Sequence, residues 1–213
     1  MSFPIVVLIS GSGSNLQALI DQSLQGQLNI NICAVISNKA DAYGLERAKV
    51  AGIPTHIINH KSFDSRDEFD AELQALIDQY QPKLVVLAGF MRILTETFTK
   101  HFEGRMLNIH PSLLPKYKGL NTHQRAIDAN EKEHGVSVHF VSPELDAGAV
   151  ILQASTAIIK EDTAESLARK VHALEHIIYP LAVKWFSEGR LAFRDGEAFL
   201  DGNVLPESGV LHD

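Results

Sequence analysis

Short β-branched runs separated by segments with a single apolar face recur through the first half of this chain, and that alternation limits the folds open to it. Strand-like runs fall at 5–9, 30–37, 55–58 and 84–87. Between them, Leu16, Leu19, Ile20 and Leu24 recur at helical spacing, as do Phe69, Leu73, Leu76, Ile77 and Tyr80. Ser65 with Glu68 supplies a capping box for the second of these helices. Parallel strands cannot be joined by a tight hairpin, so the alternation predicts crossover helices and an α/β fold. The expected scaffold is an open, twisted, mainly parallel sheet flanked by helices, Rossmann-like in architecture.

A further strand at 106–110 ends against Pro111, and Pro115 with Gly119 keeps the next stretch irregular. Two extended runs, 136–141 and 150–159, lie close enough in sequence to pair with each other. Asp162 and Glu165 form a second capping signature before Leu167, Val171, Leu174 and Ile178, a long helix bent or ended near Pro180. Asp195-Gly196 and Asp201-Gly202 mark turns in the tail. No repeat, low-complexity linker or composition shift divides the chain, so a single domain over 1–213 is expected.

The 26 acidic side chains outnumber the 19 basic ones, for a formal charge of -7, and no dense Lys/Arg run is present. That balance argues against nucleic acid as a partner, although a helix N-terminus can hold one small anion whatever the net charge. Cys33, the only cysteine, precludes an intrachain disulfide and reads as a buried structural thiol. There is no basic leader and no run approaching a membrane span, so the expectations are no membrane partner and a cytoplasmic location.

Three places carry chemistry. Gly11-Ser12-Gly13-Ser14-Asn15 joins the first strand to the first helix, where glycines let backbone approach an anion and the helix offers unpaired N–H groups. It lacks the third glycine of a dinucleotide fingerprint and the lysine of a triphosphate loop, so a compact monoester phosphate suits it better. A glycine turn with Ser14 or Asn15 merely capping the helix is equally compatible with the string.

Asn108 and His110 stand two apart at a strand end, hence on one face of the sheet. An amide that stabilises oxyanion charge beside an imidazole that relays a proton suits acyl transfer, although both side chains could simply satisfy backbone groups. Asp146, in Glu144-Leu145-Asp146-Ala147-Gly148, is either their carboxylate partner or a turn residue. Finally, His172-Ala173-Leu174-Glu175-His176 matches the inverted zinc-protease pattern. Its missing ligand would have to come from Glu188, Glu197 or Glu207, none in a persuasive context. No metal is therefore expected.

The segments VVLISGSGSNLQA, SNKADAYGLERA, VVLAGFMRIL, LNIHPSLLPKYKG, GVSVHFVSPELDAGAVILQ and LEHIIYP, in this order, resemble the bacterial phosphoribosylglycinamide formyltransferase family from about Ile5 to Pro206. The resemblance implies transfer of a formyl group from 10-formyltetrahydrofolate to the primary amine of glycinamide ribonucleotide in de novo purine biosynthesis. It makes Asn108, His110 and Asp146 the catalytic group. It assigns Gly13, Ser14 and Asn15 to the ribonucleotide phosphate and Glu175 to its ribose or glycinamide end. The folate would lie against Met91, Arg92, Ile93 and Leu94, against Asn108, and against Ser142, Pro143, Glu144, Leu145 and Asp146, with Arg66 as a further contact.

The implied division places the phosphate side in the N-terminal half and the folate side in the C-terminal half, in a monomer or weak homodimer. The chain departs from the family pattern at Ser12, where Asn is frequent, and at Lys118 and Asn121, where Pro and His are familiar. Another folate-dependent formyltransferase, a formyltetrahydrofolate hydrolase, a zinc hydrolase using His172, Glu175 and His176, and a noncatalytic phosphate binder remain as competing readings.

Overall fold

The computed structural model describes residues 2–212, which form two compact units dividing between Asn108 and Ile109. The first contains β1 (Phe3–Ile9), β2 (Ile30–Ser37), β3 (Thr55–Ile57), β4 (Leu84–Leu87) and the start of β5 (Met106–His110). Their order is β5-β4-β1-β2-β3, and every neighbouring pair is parallel. Ile5 through Ile9 and Leu84 through Val86 have no exposed surface, which explains why both runs are apolar without alternation. Each such side chain contributes about 1.5–3 kcal/mol by leaving water.

The crossovers carry α1 (Ser14–Leu24), α2 (Gly44–Val50), α3 (Arg66–Gln79) and α4 (Glu96–His101). Leu16, Leu19 and Ile20 are buried as the spacing predicts, but Leu24, the last residue of α1, is 77% exposed. The capping signature of α3 is half realised: Ser65 Oγ accepts from Glu68 N, while the Glu68 carboxylate takes Asp64 N rather than Ser65 N. Cys33 is only partly buried, and burial nevertheless pushes its thiol pKa up.

The second unit contains the end of β5, α5 (Thr122–Asp128), β6 (Glu133–Phe140), β7 (Val150–Ala157), α6 (Ala164–Ser187), β8 (Leu191–Arg194), β9 (Glu197–Leu200), β10 (Asn203–Val204) and β11 (Val210–His212). The order is β11-β7-β6-β5. β6 and β7 are antiparallel, as their short connection requires, whereas β11 returns parallel to β7. The α/β class and the predominance of parallel pairs thus match the expected sheet.

β8, β9 and β10 make a separate antiparallel meander. Its two turns sit at Asp195-Gly196 and Asp201-Gly202, all four residues having positive φ. Two expectations for α6 change. Thr163, not Asp162, is its cap, in a reciprocal box with Ser166. Asp162 instead gathers Ile159 N, Ser166 Oγ and Lys170 Nζ, which hold its carboxyl down at about 2. The helix also continues through Pro180 to Ser187.

Candidate active site

The glycine loop is built by backbone geometry. Gly13 is the residue before α1, with φ 70°, and no side chain caps the helix. Ser14 and Asn15 are its first two helical residues, so neither performs the capping role that the sequence left open. A Cβ on Gly13 would lie 2.6 Å from the Gly44 Cα, so both glycines are needed for the loop to press against the start of α2. Gly44 N donates to Gly11 O, and Arg47 Nε donates to Ser12 O. The result is a loop pressed against the start of α2 at the head of α1, where the helix dipole puts a partial positive charge.

Two members of the expected chemical group meet within the second unit. His110 closes β5, and its Nδ1 lies 3.4 Å from Asp146 Oδ2; both side chains are nearly enclosed. The other ring nitrogen, Nε2, is 2.9 Å from the Tyr117 carbonyl. Both nitrogens thus face acceptors. An imidazolium donates to both, whereas a neutral ring donates to one only.

Asp146 is held from several sides. Gly119 N donates to Oδ2 at 2.9 Å, and the residue adopts φ 48° in the loop between β6 and β7. Gly148 lets that loop approach β6, since a Cβ there would collide with the Phe140 carbonyl oxygen. His139, wholly enclosed in β6, places Nε2 4.0 Å from Asp146 Oδ1 and donates Nδ1–H to Phe140 O. Burial lowers the His139 pKa to about 4, so it faces the aspartate as a neutral ring. Asp146 also borders a cavity of about 290 Å³ with Pro115, Lys118, Gly148 and Leu205.

Asn108, half-buried in the same strand as His110 and two residues before it, aligns with Leu87 of β4. In the first unit, Met91 and Ile93 are 65% and 52% exposed in a segment without helix or strand, Leu94 is buried, and Arg66 is exposed at the start of α3. Arg92 lies over the Phe69 ring. In the second unit, Pro143, Glu144 and Leu145 are exposed and Ser142 is intermediate; Ser142 Oγ donates to Glu144 O and Lys118 pairs with Glu144.

Glu175 is buried in α6, whereas His172 of the same motif is exposed. No group of three His, Cys, Asp or Glu able to hold a metal occurs among the described residues. Sequence reasoning missed Tyr117 O, Gly119 N and His139 as neighbours of the pair. The first two are backbone atoms, and no residue type announces them.

The formyl transferase family model matches residues 4–183. Phosphoribosylglycinamide formyltransferase of Escherichia coli (strain K12) is 54% identical over 209 residues, covering 98% of this chain and 99% of that relative. The Haemophilus influenzae protein of the same name is 51% identical with the same coverage. The solved phosphoribosylglycinamide formyltransferase of Coxiella burnetii superposes with a TM-score of 0.96 at 59% identity over the whole of both chains. At this likeness over its full length, the chain belongs to the formyl transferase family, among the phosphoribosylglycinamide formyltransferases.

Proposed function

We propose that this chain transfers the formyl group of 10-formyltetrahydrofolate to the primary amine of glycinamide ribonucleotide, releasing formylglycinamide ribonucleotide and tetrahydrofolate. The observation that carries the reading is the enclosed His110–Asp146 pair at the carboxyl end of β5, in a chain similar to such enzymes from end to end. The substrate amine attacks the formyl carbon and a tetrahedral intermediate forms. The Asn108 amide and the protonated His110 ring stabilise its oxyanion. The Nε2–H now given to Tyr117 O is the donor available to that oxygen.

The attack makes the new C–N bond, and collapse of the intermediate then breaks the bond to the folate nitrogen; the amine loses one proton and the folate nitrogen gains one, relayed through the site. Asp146, oriented by Gly119 N, holds His110 in place. An amine acceptor needs no covalent acyl-enzyme. The uncapped start of α1, at Gly13, Ser14 and Asn15, receives the ribonucleotide phosphate, and the buried Glu175 binds the ribose or glycinamide end. Met91, Arg92, Ile93 and Leu94, the loop Ser142, Pro143, Glu144, Leu145 and Asp146, and Arg66 hold the folate, whose flat ring suits the exposed apolar Met91, Ile93 and Leu145.

The chain works as one formyltransferase domain, a monomer or weak homodimer that binds no nucleic acid. It acts in the cytoplasm, where a phosphorylated ribonucleotide is confined. The test supplies both substrates and follows tetrahydrofolate and formylated ribonucleotide together. Equal yields that require both substrates support the reading. Release of formate and tetrahydrofolate without the ribonucleotide would show a hydrolase instead.

A further inference from the structure

The segment from Gly89 to Thr95 has neither helix nor strand to hold it, yet two buried side chains fasten it at its two ends. At the first, Met91 N donates to Ser10 Oγ at 2.7 Å, and the hydroxyl is aimed by donating its own proton to Asn38 Oδ1 at 2.6 Å. Ser10 N also donates to Gly89 O. At the second, Thr95 N donates to Asp70 Oδ2 at 2.6 Å. Thr95 is in turn the cap of α4, its Oγ1 accepting from Phe98 N.

Ser10, Asn38 and Asp70 are all less than 5% exposed, which is unusual for an aspartate without a salt-bridge partner at hydrogen-bond distance. Burial pushes the Asp70 carboxyl up, against the opposing pull of Thr95 and of the Arg66 and Arg92 charges. Its second oxygen, Oδ1, has no hydrogen-bond partner, so the residue is held at a cost that Thr95 alone does not remove. Between the anchors, Arg92, Ile93 and Leu94 make no backbone-to-backbone hydrogen bond among the described residues. Their amides and carbonyls are left for another partner.

We infer that Ser10 and Asp70 are positioning residues that hold the Met91–Leu94 backbone at the spacing needed to read the folate edge. The inference rests on the placement of folate at this segment proposed above. Neither side chain touches the reacting atoms; each acts through one amide. Loss of an anchor lets the strap wander, and a site that drifts by a fraction of an ångström loses affinity for the ligand it reads.

The test compares Asp70→Ala, Asp70→Asn and Ser10→Ala with the parent, measuring both KM values, kcat and the melting temperature. The alanine variants raise the folate KM by about tenfold or more while the ribonucleotide KM stays within about twofold. Asp70→Asn keeps an oxygen for Thr95 N and so restores the folate KM to within about threefold of the parent. Should an alanine variant fail to fold, Asp70→Gln, which keeps the acceptor but displaces it by one methylene, carries the same reading.

An unchanged folate KM in folded Asp70→Ala, a parallel rise in both KM values, or failure of Asp70→Asn to restore would each overturn the inference. An Ile93→Glu control separates it from the functional reading. If that variant damages folate binding and Asp70→Ala does not, the anchors are wrong; if neither does, folate lies elsewhere; if the parent uses no folate donor, the assigned reaction itself is wrong.

Discussion

The glycine loop before α1 and the His110–Asp146 pair solve the same problem, holding groups ready for a charged partner, by opposite means. The loop uses backbone alone, over five consecutive residues, with Gly44 packed against it. The pair uses two side chains 36 positions apart, and it exists only because the loop after β6 turns back onto the end of β5. Backbone donors bind a phosphate whose charge does not change, whereas titrating side chains answer to charge that appears during reaction. On the proposed function, the loop serves binding and the pair serves rate.

The sharpest way to break that division is to remove each in turn. His110→Ala should lower kcat by on the order of a hundredfold or more with both KM values little changed. Asp146→Asn comes next, at about ten- to a hundredfold in kcat. Asparagine tolerates the positive φ of this position and retains an acceptor for Gly119 N, so steady-state kinetics on this variant read the missing charge rather than a broken loop. A rise confined to KM in either variant would transfer these residues to the binding side.

Gly13→Ala should do the reverse. Its Cβ meets Gly44 and its φ of 70° disfavours any side chain, so the variant loses about 1–3 kcal/mol of stability. It also raises the ribonucleotide KM by about tenfold with kcat largely kept. Ser14→Ala, by contrast, should change that KM by about threefold at most, because helix N–H groups carry most of the contact. A larger loss would show that the hydroxyl, not the backbone, is the main ligand.

Acid sharpens the comparison from another side. Burial lowers His123 and His139 to about 4 and also lowers His134, and all three belong to the unit that carries the pair. For His123 and His139 the unfolded chain takes up a proton near 6.5, the native state only near 4. Stability from the neutral rings is therefore complete above about pH 6.5 and is lost as pH falls toward 4. The melting temperature should drop between pH 7 and pH 5, and His123→Gln should flatten the drop. A melting temperature that holds or rises on acidification would contradict the buried, neutral state of these rings.

The two sites were unequally legible in the sequence for the same physical reason. The strand, turn and helix around Gly13 are local, and the β-branched runs at 30–37 and 84–87 matched their strands end to end because burial on both faces leaves nothing but apolar residues. Alternation along β5 set Asn108 and His110 on one face without further help. Nothing local could bring Asp146 to His110, and resemblance supplied that link in advance of the geometry. The cap of α6 slipped by one residue because Asp162 and Thr163 are both good caps, and Lys170 with Ser166 decides between them. The short helices α2, α4 and α5 and the parallel return of β11 carry little periodicity in so few residues.

The measurement that bears most directly on the account is a single-turnover experiment with His110→Ala, the folate donor saturating and enzyme in excess over the ribonucleotide, with formylated ribonucleotide quantified against time. The predicted result is a rate constant lower than the parent's by about a hundredfold or more, with both substrates still bound. A rate equal to the parent's would remove His110 from the chemical step and contradict the division between loop and pair.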